Sequence, residues 1–184
     1  YKIVNAADYG VPQRRKRLLL LASRRKKIDF IPITHKTPKT VREAIGTLPQ
    51  VSAGANNIAD TLHITSGLSA KNMLRIQNSK PGGSWKDWPE DLILPCHKKD
   101  KGKTYTSVYG RMKWDDVSPT ITTQFTGYGT GRFGHPEQDR ALTLREGAIL
   151  QSFPEDYSFV PPDKPIIIKN ISRQIGNAVP PRLG

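Results

Sequence analysis

The sequence predicts an α/β protein in which a loop-rich insert interrupts a more regular body. Three observations carry that prediction. Two apolar runs near the start, Tyr1–Ala6 and Leu18–Ala22, flank a segment with turn chemistry. Two Thr-x-x-Glu pairs, Thr40 with Glu43 and Thr143 with Glu146, each precede apolar residues at helical spacing. Between these ordered ends the chain offers glycines, prolines and scattered aromatics in place of periodicity.

In chain order, Tyr1–Ala6 and Leu18–Ala22 read as strands joined through Asp8-Tyr9-Gly10-Val11-Pro12. The second run is continuously apolar, as expected of a strand buried on both faces of a sheet. Arg24-Arg25-Lys26-Lys27 reads as a solvated charge run. Thr40 then caps a short helix whose Val41, Ala44, Ile45 and Leu48 share one face, closed by Pro49. From Pro49 to Gly134 the one helical candidate is Ala70–Gln77. Such a stretch fits both an insert that presents functional loops and a plain irregular domain. Thr143 opens a further helix holding Ala148, Ile149 and Leu150, which Phe153-Pro154 ends. Ile166–Ile168 reads as a short strand, and Gly176 to Pro181 as a turn into a final helix with proline near its first turn. The expected segments are 1–48, 49–134 and 135–184.

Lys and Arg number 29 against 16 Asp and Glu, a formal net charge of +13, which points to a polyanionic partner and first to nucleic acid. The single Cys96 excludes an internal disulfide and a cysteine-cluster zinc site, and His63, His97 and His135 show no metal-ligand spacing. No metal is expected. No apolar run approaches membrane-spanning length and no signal-peptide pattern is present, so a cytoplasmic protein is expected. The chain opens at Tyr1 without a methionine and stops at Gly184 directly after Pro180-Pro181-Arg182-Leu183, which reads as a portion of a longer protein.

Three blocks then stand in a telling order. Asn5-Ala-Ala-Asp8-Tyr9-Gly10-Val11-Pro12-Gln13-Arg14-Arg15-Lys16-Arg17 resembles the Gln-x-Arg-x-Arg motif of DNA cytosine-5 methyltransferases with its Asp-Tyr-Gly-x-Pro lead. Arg140 to Pro154 is similar to that family's penultimate motif, and Arg173-Gln174-Ile-Gly176-Asn177-Ala178-Val179-Pro180-Pro181 to its last. Ser118-Pro119-Thr120-Ile121-Thr122-Thr123 and Gly131-Arg132-Phe133-Gly134-His135-Pro136 resemble stretches common in bacterial members. The resemblance spans the whole chain. It implies the carboxy-terminal part of a doubly wound, S-adenosylmethionine-dependent methyltransferase sheet with an inserted, loop-rich, mainly β target-recognition domain. On that scheme 1–48 ends the catalytic domain, 49–134 is the recognition domain and 135–184 returns to the catalytic domain. The implied cofactor is S-adenosyl-L-methionine, the implied substrate is cytosine flipped from double-stranded DNA, and the implied location is the nucleoid of a bacterium.

Residue by residue, Arg15 and Arg17 alternate along an extended chain and so project together, a geometry suited to a phosphate or a flipped base. An arginine fork stays charged and donates several fixed hydrogen bonds; the resemblance makes these two the base-pocket arginines. Asn177, Ala178 and Val179, by resemblance, border the cofactor, with Gly176 allowing close backbone approach. From spacing alone the same stretch reads as a helix-leading turn with a capping Asn. Thr120 and Thr122 are candidate phosphate ligands through their hydroxyls, or else β-branched strand residues. Gln124 suits adenine and Arg132 suits guanine, with Arg111 a further DNA-contact candidate. Thr143, Arg145 and Glu146 read as structural. Pro95-Cys96-His97 departs from the family's Pro-Cys-Gln in its third residue, its lead and its order, so Cys96 reads as a bystander. The resemblance puts the nucleophile, the Glu-Asn-Val motif and the glycine-rich cofactor loop before Tyr1. The fragment alone is therefore expected to be inactive, to need the missing amino-terminal half, and to risk self-association through exposed strand edges. The alternatives are the recognition subunit of a split methyltransferase and a non-catalytic DNA-binding module; the Arg15/Arg17 pair speaks against the second.

Overall fold

The computed structural model describes residues 1–184. At the amino end β1 (Lys2–Asn5) pairs antiparallel with β2 (Lys16–Leu19), with Ile3 opposite Leu18 and Val4 opposite Arg17. A 3-10 turn over Ala6–Tyr9 follows β1 and stops at Gly10, whose φ of 80° is left-handed. A side chain there would also meet the His35 ring at 2.6 Å, so conformation and space both call for glycine.

Within residues 1–184 the second strand of this hairpin is not covered on both faces, as the sequence leads one to expect of it in a larger sheet. β2 begins at Lys16 and stops at Leu19, and Leu18 and Leu20 remain 64% and 73% exposed. The register puts Tyr1, Ile3, Leu18 and Leu20 on one face, and a two-stranded sheet brings no neighbour to cover it. Leucine-rich composition marks a strand that needs cover on both faces; it does not supply the cover.

α1 (Val41–Ile45) forms as its capping box predicts. The Thr40 hydroxyl accepts from Glu43 N at 3.2 Å, and the Glu43 carboxylate accepts from Thr40 N at 2.7 Å. The middle segment then departs from the mainly β expectation. Its extended pieces meet only at single bridges: Asn56 with Ile64, Pro81 with Arg111, and Arg111 with Gly134, which in turn meets Ala141. Pro81 cannot donate to a ladder, and Gly82, Gly83, Gly110 and Gly131 weaken any run beside it. The regular elements here are helices: α2 (Ala70–Gln77), capped by Ser69, then α3 (Pro95–Lys98) and α4 (Asp100–Lys103).

α5 (Leu144–Leu150) repeats the capping box at Thr143 and Glu146, but here the whole helix is buried. α6 (Ile168–Asn177) corrects the reading of the carboxy end. Ile168 opens a helix instead of ending a strand, and Gly176-Asn177 close that helix instead of leading into another. Ile168, Ile171 and Ile175 recur at i, i+3 and i+7, one apolar stripe. Pro180 and Pro181 lie beyond the Ala178 cap, where proline commonly follows a helix.

Two cores result. The first gathers Val41, Ala44 and Ile45 of α1, Leu144 and Ala148–Leu150 of α5, and Ile171 and Ile175 of α6 around Ile121, Phe125 and Phe133. Each fully buried aliphatic side chain stabilises by about 1.5–3 kcal/mol. The second joins Ile76, Trp85, Trp88, Leu92, Val108, Tyr128 and Ala141. The first core thus crosses the boundary drawn between Gly134 and His135, because Met112, Ile121, Phe125 and Phe133 pack with the helices.

Buried charge seats α5. Arg140 and Glu146 are both fully buried and bond bidentately at 2.7 and 2.8 Å, while Glu146 also accepts from Thr143 N at 2.8 Å. Burial alone would push the Glu146 carboxyl up; the Arg140 guanidinium more than offsets it and holds the carboxyl below its usual range. Arg145 grips Asp60 at 2.6 and 3.0 Å and the Tyr157 carbonyl at 3.0 Å.

Candidate functional site

The arginine motif is stitched to the Ser-Pro-Thr-Ile segment. Arg14 N donates to the Ser118 carbonyl at 2.9 Å, Ser118 N donates to the Pro12 carbonyl at 3.2 Å, and Gln13 and Ser118 form a parallel bridge. Side chains extend this pairing: Ile121 N donates to Gln13 Oε1 at 2.9 Å, and Arg15 Nη1 donates to the Ile121 carbonyl at 3.2 Å.

Arg15 is mostly buried, and Arg17, two residues on, is exposed. Burial lowers the pKa of the Arg15 guanidinium, and the charge of Arg17 lowers it further, as two cations on one side of an extended chain require. A guanidinium has five N–H donors, so the bond to Ile121 leaves Arg15 most of its fork for a ligand. Together the pair suits an anion or a carbonyl-bearing base.

The predicted DNA contacts divide. Arg111 is not one. Only 5% exposed, it bonds the carbonyls of Ile76, Ser79, His135 and Gln138 and pairs with Asp139, so it ties α2 to the strand-like ribbon and has no donor to offer DNA. Thr120 turns its hydroxyl inward, donating to the Arg14 carbonyl at 2.7 Å. Thr122 and Gln124 are exposed, and half-buried Arg132 makes one long contact, 3.4 Å to the Thr106 carbonyl. The loop that bears them is held in shape. Gln124 O accepts from Gly127 N and from the Thr130 hydroxyl, and Tyr128 anchors it through Ser79 at 2.6 Å. Burial pushes the Tyr128 hydroxyl up to about 12, so it stays a neutral strut.

Arg132 also meets the motif. Arg14, Lys113 and Arg132, with Gly82 and Asp116, line a cleft of about 170 Å³. Lys113 carries no signal in the sequence, and Arg14, though part of the motif block, comes beside the loop only through the fold. Gln13 was legible as part of the motif, but its burial and partners were not.

Asn177 is exposed at the end of α6, Ala178 is half-buried and Val179 is 64% exposed. Gly176 allows close approach, though of the chain itself. A Cβ there would sit 2.4 Å from the backbone of Thr122 and Thr123, so that segment rests on α6 just before Asn177. Cys96 lies exposed on α3. Its neighbour His97 stacks on Trp85 at 4.4 Å with both ring nitrogens buried and unpartnered. His63 bonds Thr143 at 3.0 Å and the Pro49 carbonyl at 2.8 Å, a structural role.

A family model described as C-5 cytosine-specific DNA methylase matches residues 1–184. The type II methylase M.HgiDII of Herpetosiphon aurantiacus is 54% identical over 187 residues, covering 100% of this chain and 52% of its own length. The type II methyltransferase M1.HphI of Haemophilus parahaemolyticus is 35% identical, covering 99% of this chain and 44% of itself. The chain thus spans about half the length of these relatives. Among solved structures, a DNA modification methyltransferase encoded within a prophage of E. coli superposes with a TM-score of 0.50 at 22% identity, over 99% of this chain and 56% of that one. At that identity the likeness concerns the fold alone. No helix is long and apolar enough to cross a membrane.

Proposed function

Because the chain belongs to the C-5 cytosine-specific DNA methylase family, we propose that it is the part of a DNA cytosine-5 methyltransferase that holds the target base and reads the sequence around it. The observation that carries this reading is the stitching of Arg15 to Ile121, which joins the base-holding motif to the start of the reading loop. Arg15 and Arg17 bond the carbonyl of a cytosine flipped from the duplex and its neighbouring phosphate. Their positive charge also stabilises the negative charge that builds on the ring when a nucleophile attacks C6. Thr122 holds a phosphate, and Gln124 and Arg132 read base edges in the major groove.

Asn177 fits the amino-acid end of S-adenosylmethionine, since its exposed amide offers a donor and an acceptor to a carboxylate and an ammonium. Ala178 and Val179 continue that wall. When bound, this cofactor supplies an electrophilic methyl group. The cysteine nucleophile belongs to the remainder of the protein, so residues 1–184 alone transfer no methyl group. Isolated, the chain self-associates through the apolar face of Tyr1, Ile3, Leu18 and Leu20.

The test is to incubate the full-length protein with methyl-labelled cofactor and duplex DNA, then digest the DNA to nucleosides. Label in 5-methylcytosine is the expected result. Label in a methylated adenine, or none in DNA, overturns the reading.

A further inference from the structure

Gln13 faces none of the ligands proposed above, yet its amide touches two other segments of the site and reaches a third through Gln151. Its Oε1 accepts from Ile121 N at 2.9 Å, and its Nε2 donates to Gln151 Oε1 at 2.7 Å and to the Leu150 carbonyl at 3.3 Å. Gln151 passes the contact on, its Nε2 donating to the Ile175 carbonyl at 2.7 Å. Both side chains are fully buried. Four separate pieces meet here: the arginine motif, the start of the reading segment, the end of α5 and the last turn of α6.

We infer that Gln13 and Gln151 form a positioning joint that sets the register of the base-holding arginines against the reading loop, and so governs sequence discrimination; this rests on the proposed function. The chemistry of the contacts supports it. Gln13 and Gln151 each donate and accept at once, which a carboxylate or a hydrocarbon of similar length cannot do. Ile121 is held on both sides, its N–H by Gln13 and its carbonyl by Arg15. The next residues, Thr122 and Thr123, lie with their backbone against Gly176. A slip at Gln13 therefore displaces Ile121, the partner of Arg15, together with Thr122 and Thr123 after it. The same slip reaches the turn before Asn177 through Gln151 and Ile175.

The experiment uses the full-length protein with Gln13→Met and Gln151→Met, which keep side-chain length and remove the amides, and the double variant. Methylation kcat/KM is measured on the preferred duplex and on duplexes with one base pair changed, beside melting temperature. Competition binding of the same duplexes gives the discrimination ratio without turnover. The joint predicts a discrimination ratio lower by about tenfold in each single variant, the size of one misplaced base contact. It also predicts a double variant that loses less than the product of the two single losses, because the Gln13–Gln151 contact is common to both. A ratio within twofold of wild type, with melting lowered, overturns the proposal and leaves two packing residues. If Gln13→Met does not fold, Gln151→Met decides by the same criterion. A wild-type protein that discriminates in binding but transfers no methyl group sinks the proposed function, and the binding ratio still decides the joint.

Discussion

The first core, around α5, satisfies its buried polar groups internally, whereas the second, around Trp85 and Trp88, leaves some of them open. In the first, Glu146 is saturated by Arg140 and Thr143, Gln13 by Gln151 and Ile121, and His63 by Thr143 and Pro49. In the second, cohesion comes from rings: Trp88 edge-on to Tyr109 at 5.4 Å, Tyr109 edge-on to Tyr128 at 5.5 Å, and Arg75 over Trp88. There His97 keeps two ring nitrogens without partners. A fully paired interior defines one register and holds the family motifs in place. A ring-packed interior tolerates irregular backbone and suits the segment that carries exposed loops. Two arginines of the middle segment differ in the same way, Arg111 wholly consumed by carbonyls and Arg132 almost unengaged.

The contrast can be broken most sharply at Arg140. Arg140→Met leaves the Glu146 carboxylate buried without its cation, and stability of the full-length protein should fall by about 3–5 kcal/mol, read by denaturant titration. A loss under about 1 kcal/mol would mean that the first core does not depend on its pair. Next, Gly176→Ala forces a methyl group into the Thr122–Thr123 backbone. A cost of about 1–3 kcal/mol is expected, together with weaker DNA binding by titration.

A smaller effect comes with pH. Burial pulls His135 down to about 4 against the upward pull of Glu146, from an ordinary 6.5. Its folded value lies below its unfolded value, so the stability it contributes is complete above pH 6.5 and is lost as pH falls toward 4. Roughly 1–2 kcal/mol should be gone by pH 5.5, and His135→Asn should flatten the melting profile between pH 6.5 and 4.5. An unchanged profile in that variant would contradict the assignment. The smallest change belongs to the second core. Trp88→Phe removes the 2.7 Å bond from the indole to Ser79, and a loss of about 1 kcal/mol by the same titration is expected. A loss matching that at Arg140 would erase the distinction between the cores.

Local signals were legible in the sequence, and burial was not. The capping boxes at Thr40/Glu43 and Thr143/Glu146 and the helix over Ala70–Gln77 need only neighbours in sequence, and they form as read. The end of α6 was misread because Gly176-Asn177 before proline suits a helix stop as well as a start. The isoleucine stripe from Ile168 decides it, and that stripe shows only when the period is traced through polar residues. Arg111 and Arg132 look alike in sequence, each in a glycine-flanked loop. Their opposite fates depend on carbonyls from α2 and from His135 and Gln138, which no local pattern reports. The pairing of Arg14 with Ser118 spans a hundred residues and is equally invisible.

The central claim is that base holding and sequence reading occupy separate residues of one joined site. The direct measurement is a site-resolved methylation profile of a random-sequence DNA library treated with full-length Arg17→Ala and Arg132→Ala proteins. The account predicts that Arg17→Ala slows methylation while keeping the sequence preference, and that Arg132→Ala keeps much of the rate while relaxing preference at one position. Two profiles that lose rate and preference alike would contradict it.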